Sequence, residues 1–499
     1  MGICRRHFGL ATLAGLAIRP GLSLLPRPKL LVLVILGLTR SDTFLSLWPQ
    51  LSSTGLRHIL EKGAYFLDCR HTASTWPSTT TATLATGTWP DQHGIVADFW
   101  YDRAAKAVVT ASEEEMLATT LASEIAAEPR TRVYVAGMDG AQVGIFSGTP
   151  AANLYWMDEN GLFVTRSEAP DWLDGFNRRS TAPEKLHDAR WLVLGGRTSP
   201  ENTPTLRILN FSAGRPREFM TLYKSSPFAQ TALFDFMSEL IARERLGQKD
   251  TFDFVCLLAG ASTRLGYETG ARSPLLEQMT LHLDRSLEAL LAQCNRGAPS
   301  GPGDGNFNLV LAGSHGAPPE PPADKRVRMA VKGEAVAQAV DDALRTGGMG
   351  RVEKYVYPFL YLDTNGFRDP EEARRAAARA AMGLPAVNGY YTAAGACSVH
   401  DDWERRFRNS FHPKRSGDLM LSYQAGYIED SGKGRGISYG SLYNYDVSVP
   451  LCFYGPQFTA GSYESPVQSV DVAPTLARVS GVAAPSSSTG RILTEALAE

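Results

Sequence analysis

Short, continuous apolar runs recur along the chain at Leu30–Leu38, Val133–Ala136, Phe254–Ala259, Asn308–Ala312 and Val449–Tyr454. They do not alternate with polar residues, so they fit strands buried on both faces of a parallel sheet. Between some of them the spacing changes from continuous to helical. Leu233, Phe236, Met237, Leu240 and Ile241 share one helical face, as do Leu276, Met279, Leu283, Leu287 and Leu290. Ser273-Pro274 supplies an N-cap and a first-turn proline for the second helix. Strands alternating with helices predict an α/β fold, a mostly parallel sheet sandwiched by helices. Asn295–Gly305 and Pro318–Pro322 read as loops. Tyr155–Asn177 mixes aromatics with Gly, Asp and Asn and reads as an excursion from the core. The expected organisation is one domain over residues 28–499 with an inserted subdomain at about 140–230.

Composition changes this picture little. The 499 residues are 43% hydrophobic and 20% charged, with a net charge of −2. No global basic field exists to favour nucleic acid or an anionic membrane. Cys4, Cys69, Cys256, Cys294, Cys397 and Cys452 show no metal-binding spacing, and Cys256 and Cys452 lie in apolar runs that predict buried thiols. Arg5-Arg6 precedes an apolar stretch, Gly9–Ile18, too short to span a membrane comfortably. Residues 1–27 therefore resemble a twin-arginine export signal, which implies an exported, periplasmic protein. No other run approaches transmembrane length.

Chemistry in an open α/β sheet collects beyond the carboxyl ends of its strands. Gly37–Asp42, Gly260–Tyr267 and Gly313–Gly316 follow three of the runs and read as loops rich in Gly and hydroxyls, poor in carboxylate and imidazole. Elsewhere, WPSTTTATLATGTWPDQHGIVADFWYDR (Trp76–Arg103), FHPKRSGDLM (Phe411–Met420), VPLCFYGPQF (Val449–Phe458) and VDVAPTLARVSG (Val470–Gly481) stand in one order. In that order they resemble the type I phosphodiesterase/nucleotide pyrophosphatase branch of the alkaline phosphatase superfamily.

The resemblance implies an alkaline-phosphatase-like fold, two zinc ions, and a Thr or Ser nucleophile that attacks phosphorus. Carried over position by position, the zinc ligands fall on Gly37, Thr263, Tyr267, Ser314, His315 and Ser448, so only His315 keeps a ligand side chain. The nucleophile position falls on Pro77, with Ser78 and Thr79 as displaced candidates. The phosphate-contacting positions fall on Asp98, Asp139 and Ala141. Neutral alcohols are poor zinc ligands beside imidazole and carboxylate, and carboxylates at 98 and 139 would repel a phosphate dianion. No cofactor is therefore expected, although the family would use two Zn.

The plainer readings are these: His315 a hydrogen-bonded loop residue, Ser78–Thr81 capping the following helix, His412 shaping its loop, Asp98 and Asp102 solvated or paired with Arg103 or Arg70, and Trp156 and Trp172 core residues of the insertion. Two functions follow. The first is a catalytically degenerate protein, a pseudoenzyme binding or scaffolding an unknown small-molecule or envelope ligand such as a glycan, without nucleic acid. The second is an active phosphate-ester hydrolase whose rearranged site uses Ser78 or Thr79 with His315 or another base.

Overall fold

The structure is a computed structural model that describes residues 27–180, 186, 188–194, 205–210, 216–270, 273–296, 307–318, 330–429 and 439–498. The segment expected to be an export signal lies outside them apart from Arg27. Each apolar run forms or lies within a buried strand: β1 (Leu30–Leu38), β5 (Thr131–Gly137), β10 (Phe252–Ala259), β11 (Phe307–His315) and β18 (Ser448–Tyr454). With β2 (Ala64–Arg70), β6 (Asn153–Met157), β7 (Phe163–Thr165) and β19 (Gly461–Tyr463) they form a sheet ordered β19-β2-β18-β11-β1-β10-β5-β6-β7, with β20 (Val467–Gln468) on β2. The pairs from β11 through β1, β10, β5 and β6 are parallel, whereas β18 runs antiparallel to β11 and β2.

Alternation in β1 divides the core. Leu30, Val32, Val34 and Leu36 pack with helices Pro227–Arg243 and Pro274–Arg296, while Leu31, Leu33 and Ile35 pack with helices Pro77–Thr86 and Val472–Ser480. The Ser273-Pro274 signal starts its helix as expected, with Ser273 Oγ accepting from the Leu275 N–H at 3.2 Å. Cys256 and Cys452 are buried free thiols.

The segment expected to leave the core is split. β6 and β7 extend the central sheet, because Leu154, Tyr155, Met157 and Phe163 all turn inward. Trp172 packs on the same core, and the Trp156 ring lies where a Gly140 side chain would stand, 3.2 Å from its Cβ position. Farther on, β8 (Ala189–Leu192) and β9 (Thr205–Leu209) form a two-stranded pair. A separate sheet, not expected from the sequence, lies downstream. β13 (Arg351–Val356), β14 (Phe359–Asp363), β16 (Leu419–Tyr423) and β15 (Val387–Thr392) stand in that spatial order under helices Gly333–Thr346 and Pro370–Met382, with their own core. Two short pairs complete the strands: β3 (Phe99–Asp102) with β4 (Ala107–Thr110), and β12 (Ala330–Val331) with β17 (Ile428–Glu429). Among the described residues no helix is long and apolar enough to cross a membrane.

Candidate functional site

Register places the carried-over positions side by side. Leu36 pairs with Ala259 on one side and Gly313 on the other, and Leu38 pairs with His315. Gly37, the segment after β10 and the end of β11 therefore meet at one sheet edge. The residues after β10 form a helix, Ala261–Thr269, rather than the expected loop, and its first turn presents Ser262 and Thr263 to β1. β11 likewise continues through His315, because Gly313–His315 stay buried and paired.

A hydrogen-bonded chain closes this edge. The Leu38 N–H donates to Thr263 Oγ1 at 3.1 Å, and Thr263 Oγ1 lies 3.0 Å from His315 Nε2. His315 Nδ1 lies 2.7 Å from the Gly316 carbonyl oxygen, which can only accept. Nδ1 therefore carries the proton, and Nε2 accepts from the threonine hydroxyl. Both ring nitrogens are committed. Burial pushes the imidazole down to about 4, which keeps it neutral near pH 7. The Tyr439 ring lies 4.6 Å from the His315 ring, and its hydroxyl donates to the Thr263 carbonyl at 3.1 Å. Gly37 completes the fit: a Cβ there would stand 2.5 Å from Thr263 Oγ1 and 2.9 Å from Ser262 Oγ.

The other positions are dispersed or engaged elsewhere. Ser314 Oγ is 2.5 Å from Thr80 Oγ1, which in turn donates to the Pro77 carbonyl at 3.1 Å. Tyr267 is half-buried, its ring 6.0 Å from that of Tyr439. Ser448 starts β18 opposite Arg70. Ser78–Thr81 do not cap the following helix; they form its first turns behind Pro77, and Trp76 occupies the N-cap position. Thr79 Oγ1 is buried without a partner, whereas Ser78 is 7% exposed and its N–H donates to Asp98 Oδ1 at 2.9 Å. Burial pushes the Asp98 carboxyl up, the Ser78 hydrogen bonds oppose this, and Asp139 adds to it.

Asp139 N-caps helix Gly140–Ser147 by accepting from the Ala141 and Gln142 N–H groups, and it pairs with Arg264 at 3.4 Å. Ala141 is exposed. The expected partners of Asp98 and Asp102 are taken: Arg103 pairs with Asp418 and Glu353, and Arg70 with Asp68. Asp102 instead accepts from the Ala104 and Ala105 N–H groups. His412 shapes its loop, its Nδ1 accepting from the Lys414 N–H.

Sequence reasoning missed Asp446. It is fully buried, accepts from the Ser441 N–H on Oδ2 and leaves Oδ1 without a partner. Burial pushes its carboxyl up to about 7. Its only mark in the sequence is its place two residues before β18.

A profile of the type I phosphodiesterase/nucleotide pyrophosphatase family matches residues 30–438. The chain belongs to that family. Its branch sits in the alkaline phosphatase superfamily, and two similar proteins carry that name. One is alkaline phosphatase PhoV of Synechococcus elongatus, 23% identical over 94% of this chain and 93% of the relative. The other is alkaline phosphatase PafA of Elizabethkingia meningoseptica, 22% identical over 98% of both. The crystal structure of wild-type PafA matches the fold with a TM-score of 0.82 at 20% identity, over 95% of this chain and 100% of that one. Murine ectonucleotide pyrophosphatase/phosphodiesterase 5 matches with a TM-score of 0.59 at 14% identity, over 94% and 100%. These likenesses establish the alkaline-phosphatase-like fold.

The family's two zinc ions do not fit these residues. One position offers no side chain, three offer neutral hydroxyls, one a phenol, and the imidazole has no free lone pair. Among the described residues no group of three or more His, Cys, Asp or Glu side chains is placed to hold a metal ion.

Proposed function

We propose that this chain retains the family's cleft as a binding site for a neutral polar ligand and does not carry out two-zinc phosphoester hydrolysis. One observation carries the reading: the chain from Leu38 through Thr263 and His315 to Gly316 occupies the space and lone pairs that metal ligation needs. Tight zinc binding, worth roughly 10–16 kcal/mol at a structural site, depends on a complete deprotonated ligand set. We place this role outside the cytoplasm, on the strength of the Arg5-Arg6 segment, and with no nucleic-acid partner. The test is zinc stoichiometry by elemental analysis after dialysis against trace zinc, alongside phosphate-ester turnover. Near-zero zinc without turnover is expected; about two zinc ions per chain would refute the reading.

A second reading is phosphate-ester hydrolysis from a rearranged site, and the relatives' names favour it over a binding role. Its best support within the molecule is that Asp98 accepts from the Ser78 N–H and is also engaged by the Ser78 side chain. Thr79 is buried and His315 is committed, which leaves Ser78 as nucleophile and Asp98 as base. Turnover lost in both Ser78→Ala and Asp98→Asn would establish this reading and remove the first.

A further inference from the structure

Among the described residues nearly all Phe, Tyr and Trp side chains are buried or half-buried. Phe99 is the single one of them that is exposed, with 43% of its surface accessible. It stands beside the start of helix Pro77–Thr86, which carries the candidate nucleophile positions. Its ring lies 6.1 Å from that of Trp76, the residue at the N-cap of helix Pro77–Thr86. The carboxylate of the preceding residue, Asp98, reaches the same helical turn through the Ser78 N–H. A free aromatic face and a carboxylate thus flank one turn of backbone.

The surroundings extend this pattern. Tyr357, on the downstream lobe, faces Trp76 at 6.1 Å, and Gly440 closes against the indole, where a Cβ would stand 2.5 Å from Nε1. Trp76 Nε1 is buried and has no hydrogen-bond partner. Asp139, close enough to raise the Asp98 carboxyl, carries Arg264 with it.

We propose that the surface beside the first turn of helix Pro77–Thr86 is a saccharide subsite, with a sugar ring stacked on Phe99 and its hydroxyls donating to Asp98. The assignment rests on the binding reading above. An apolar platform alone would accept many molecules, and the carboxylates narrow the choice. Asp98 and Asp139 oppose phosphate, sulfate and nucleotide ligands, and they accept from hydroxyl donors. A pyranose offers what both features need: axial C–H groups for an aromatic face and hydroxyls in fixed directions for an acceptor. Arg264, held at 3.4 Å by Asp139, adds donors at the rim.

Phe99 makes the test clean because a partly exposed ring can be removed with little effect on folding. The labelled full-length chain is applied to an array of neutral and acidic glycans. The strongest neutral glycan is then titrated by calorimetry against wild type, Phe99→Ala and Asp98→Asn, with AMP and inorganic phosphate in parallel. We expect a neutral saccharide to bind, about tenfold more weakly to Phe99→Ala and also more weakly to Asp98→Asn, with the melting temperature of Phe99→Ala unchanged. Absence of any neutral-glycan binding, or equal affinity in Phe99→Ala, overturns the proposal. AMP or phosphate bound without turnover overturns it but leaves the cleft a binding site; turnover of AMP removes both readings.

Discussion

Gly37→Asp, which places a carboxylate where the resemblance implies a zinc ligand, should destabilise the protein and recruit no metal. A Cβ at this position meets Thr263 Oγ1 at 2.5 Å, Ser262 Oγ at 2.9 Å and the Ala259 carbonyl at 3.0 Å. Forcing side-chain atoms into a filled site costs about 1–3 kcal/mol. Displacing Thr263 also weakens its bonds to the Leu38 N–H and His315, at roughly 1 kcal/mol each. The sum is about 3–5 kcal/mol. Unfolding entropy near 2.1 cal/mol/K per residue makes 1 kcal/mol worth roughly 1 °C in a chain of this length. The melting temperature should therefore fall by about 3–5 °C, measured by scanning calorimetry with and without added zinc. In a Thr263→Ala background the nearest clash is gone, and the same substitution should cost at least about 1 kcal/mol less. An unchanged melting temperature, or one raised by zinc, would show that the strand-end clasp is not what excludes the metal.

Three further outcomes are expected. Asp446 has a folded-state pKa of about 7 against an ordinary 3.8, so its proton stabilises the fold at low pH, and that contribution is lost as pH rises from about 4 to 7. Relative to wild type, Asp446→Asn should be more stable at pH 8 than at pH 4, by a few kcal/mol; parallel melting curves across pH would contradict this. Arg132→Ala should cost about 3–5 kcal/mol in chemical denaturation, because Arg132 holds the fully buried Asp253 by two bonds of 2.8 Å; a loss below 1 kcal/mol would refute the pairing's importance. Thr263→Val should lower stability by about 1–3 kcal/mol while Thr263→Ser restores most of it, since the hydroxyl both accepts from Leu38 and donates to His315; equal losses in both variants would point to packing instead.

Much of the fold was legible because burial on both faces writes itself as continuous apolar sequence. Leu30–Leu38 coincides with its strand, and Phe254–Ala259 and Val449–Tyr454 fall short of theirs by one or two residues. Orientation was less legible: nothing local in Val449–Tyr454 distinguishes an antiparallel strand from its parallel neighbours, since both of its faces are buried alike. β2 escaped because Asp68 and Arg70 interrupt its apolar pattern. In the downstream sheet β13 mixes charged and apolar residues on a half-exposed face, whereas β14 and β16 are short buried apolar runs that were legible in kind but were not read as strands.

At the site, residue identities were readable but partners were not. Which oxygen fills the space beside Gly37, and which group donates to His315, depend on the register of β1, β10 and β11. Ser262 and Thr263 reach Gly37 only because Ala261–Thr269 winds into a helix, which a run of Gly and hydroxyl residues conceals.

The downstream lobe has an architectural consequence. It leaves the central sheet after β11 and the chain returns at β18, and these strands are immediate antiparallel neighbours, with Ala312 opposite Leu451. Exit and entry are therefore adjacent, and closing the excursion asks little of chain entropy whatever its length, because that cost grows only logarithmically. With its own core over Val331–Tyr423, the lobe is an exchangeable cartridge mounted on a fixed chassis. Tyr357 carries its surface to Trp76 at the start of helix Pro77–Thr86. Swapping this cartridge between relatives should transfer ligand preference while leaving the sheet beneath it unchanged.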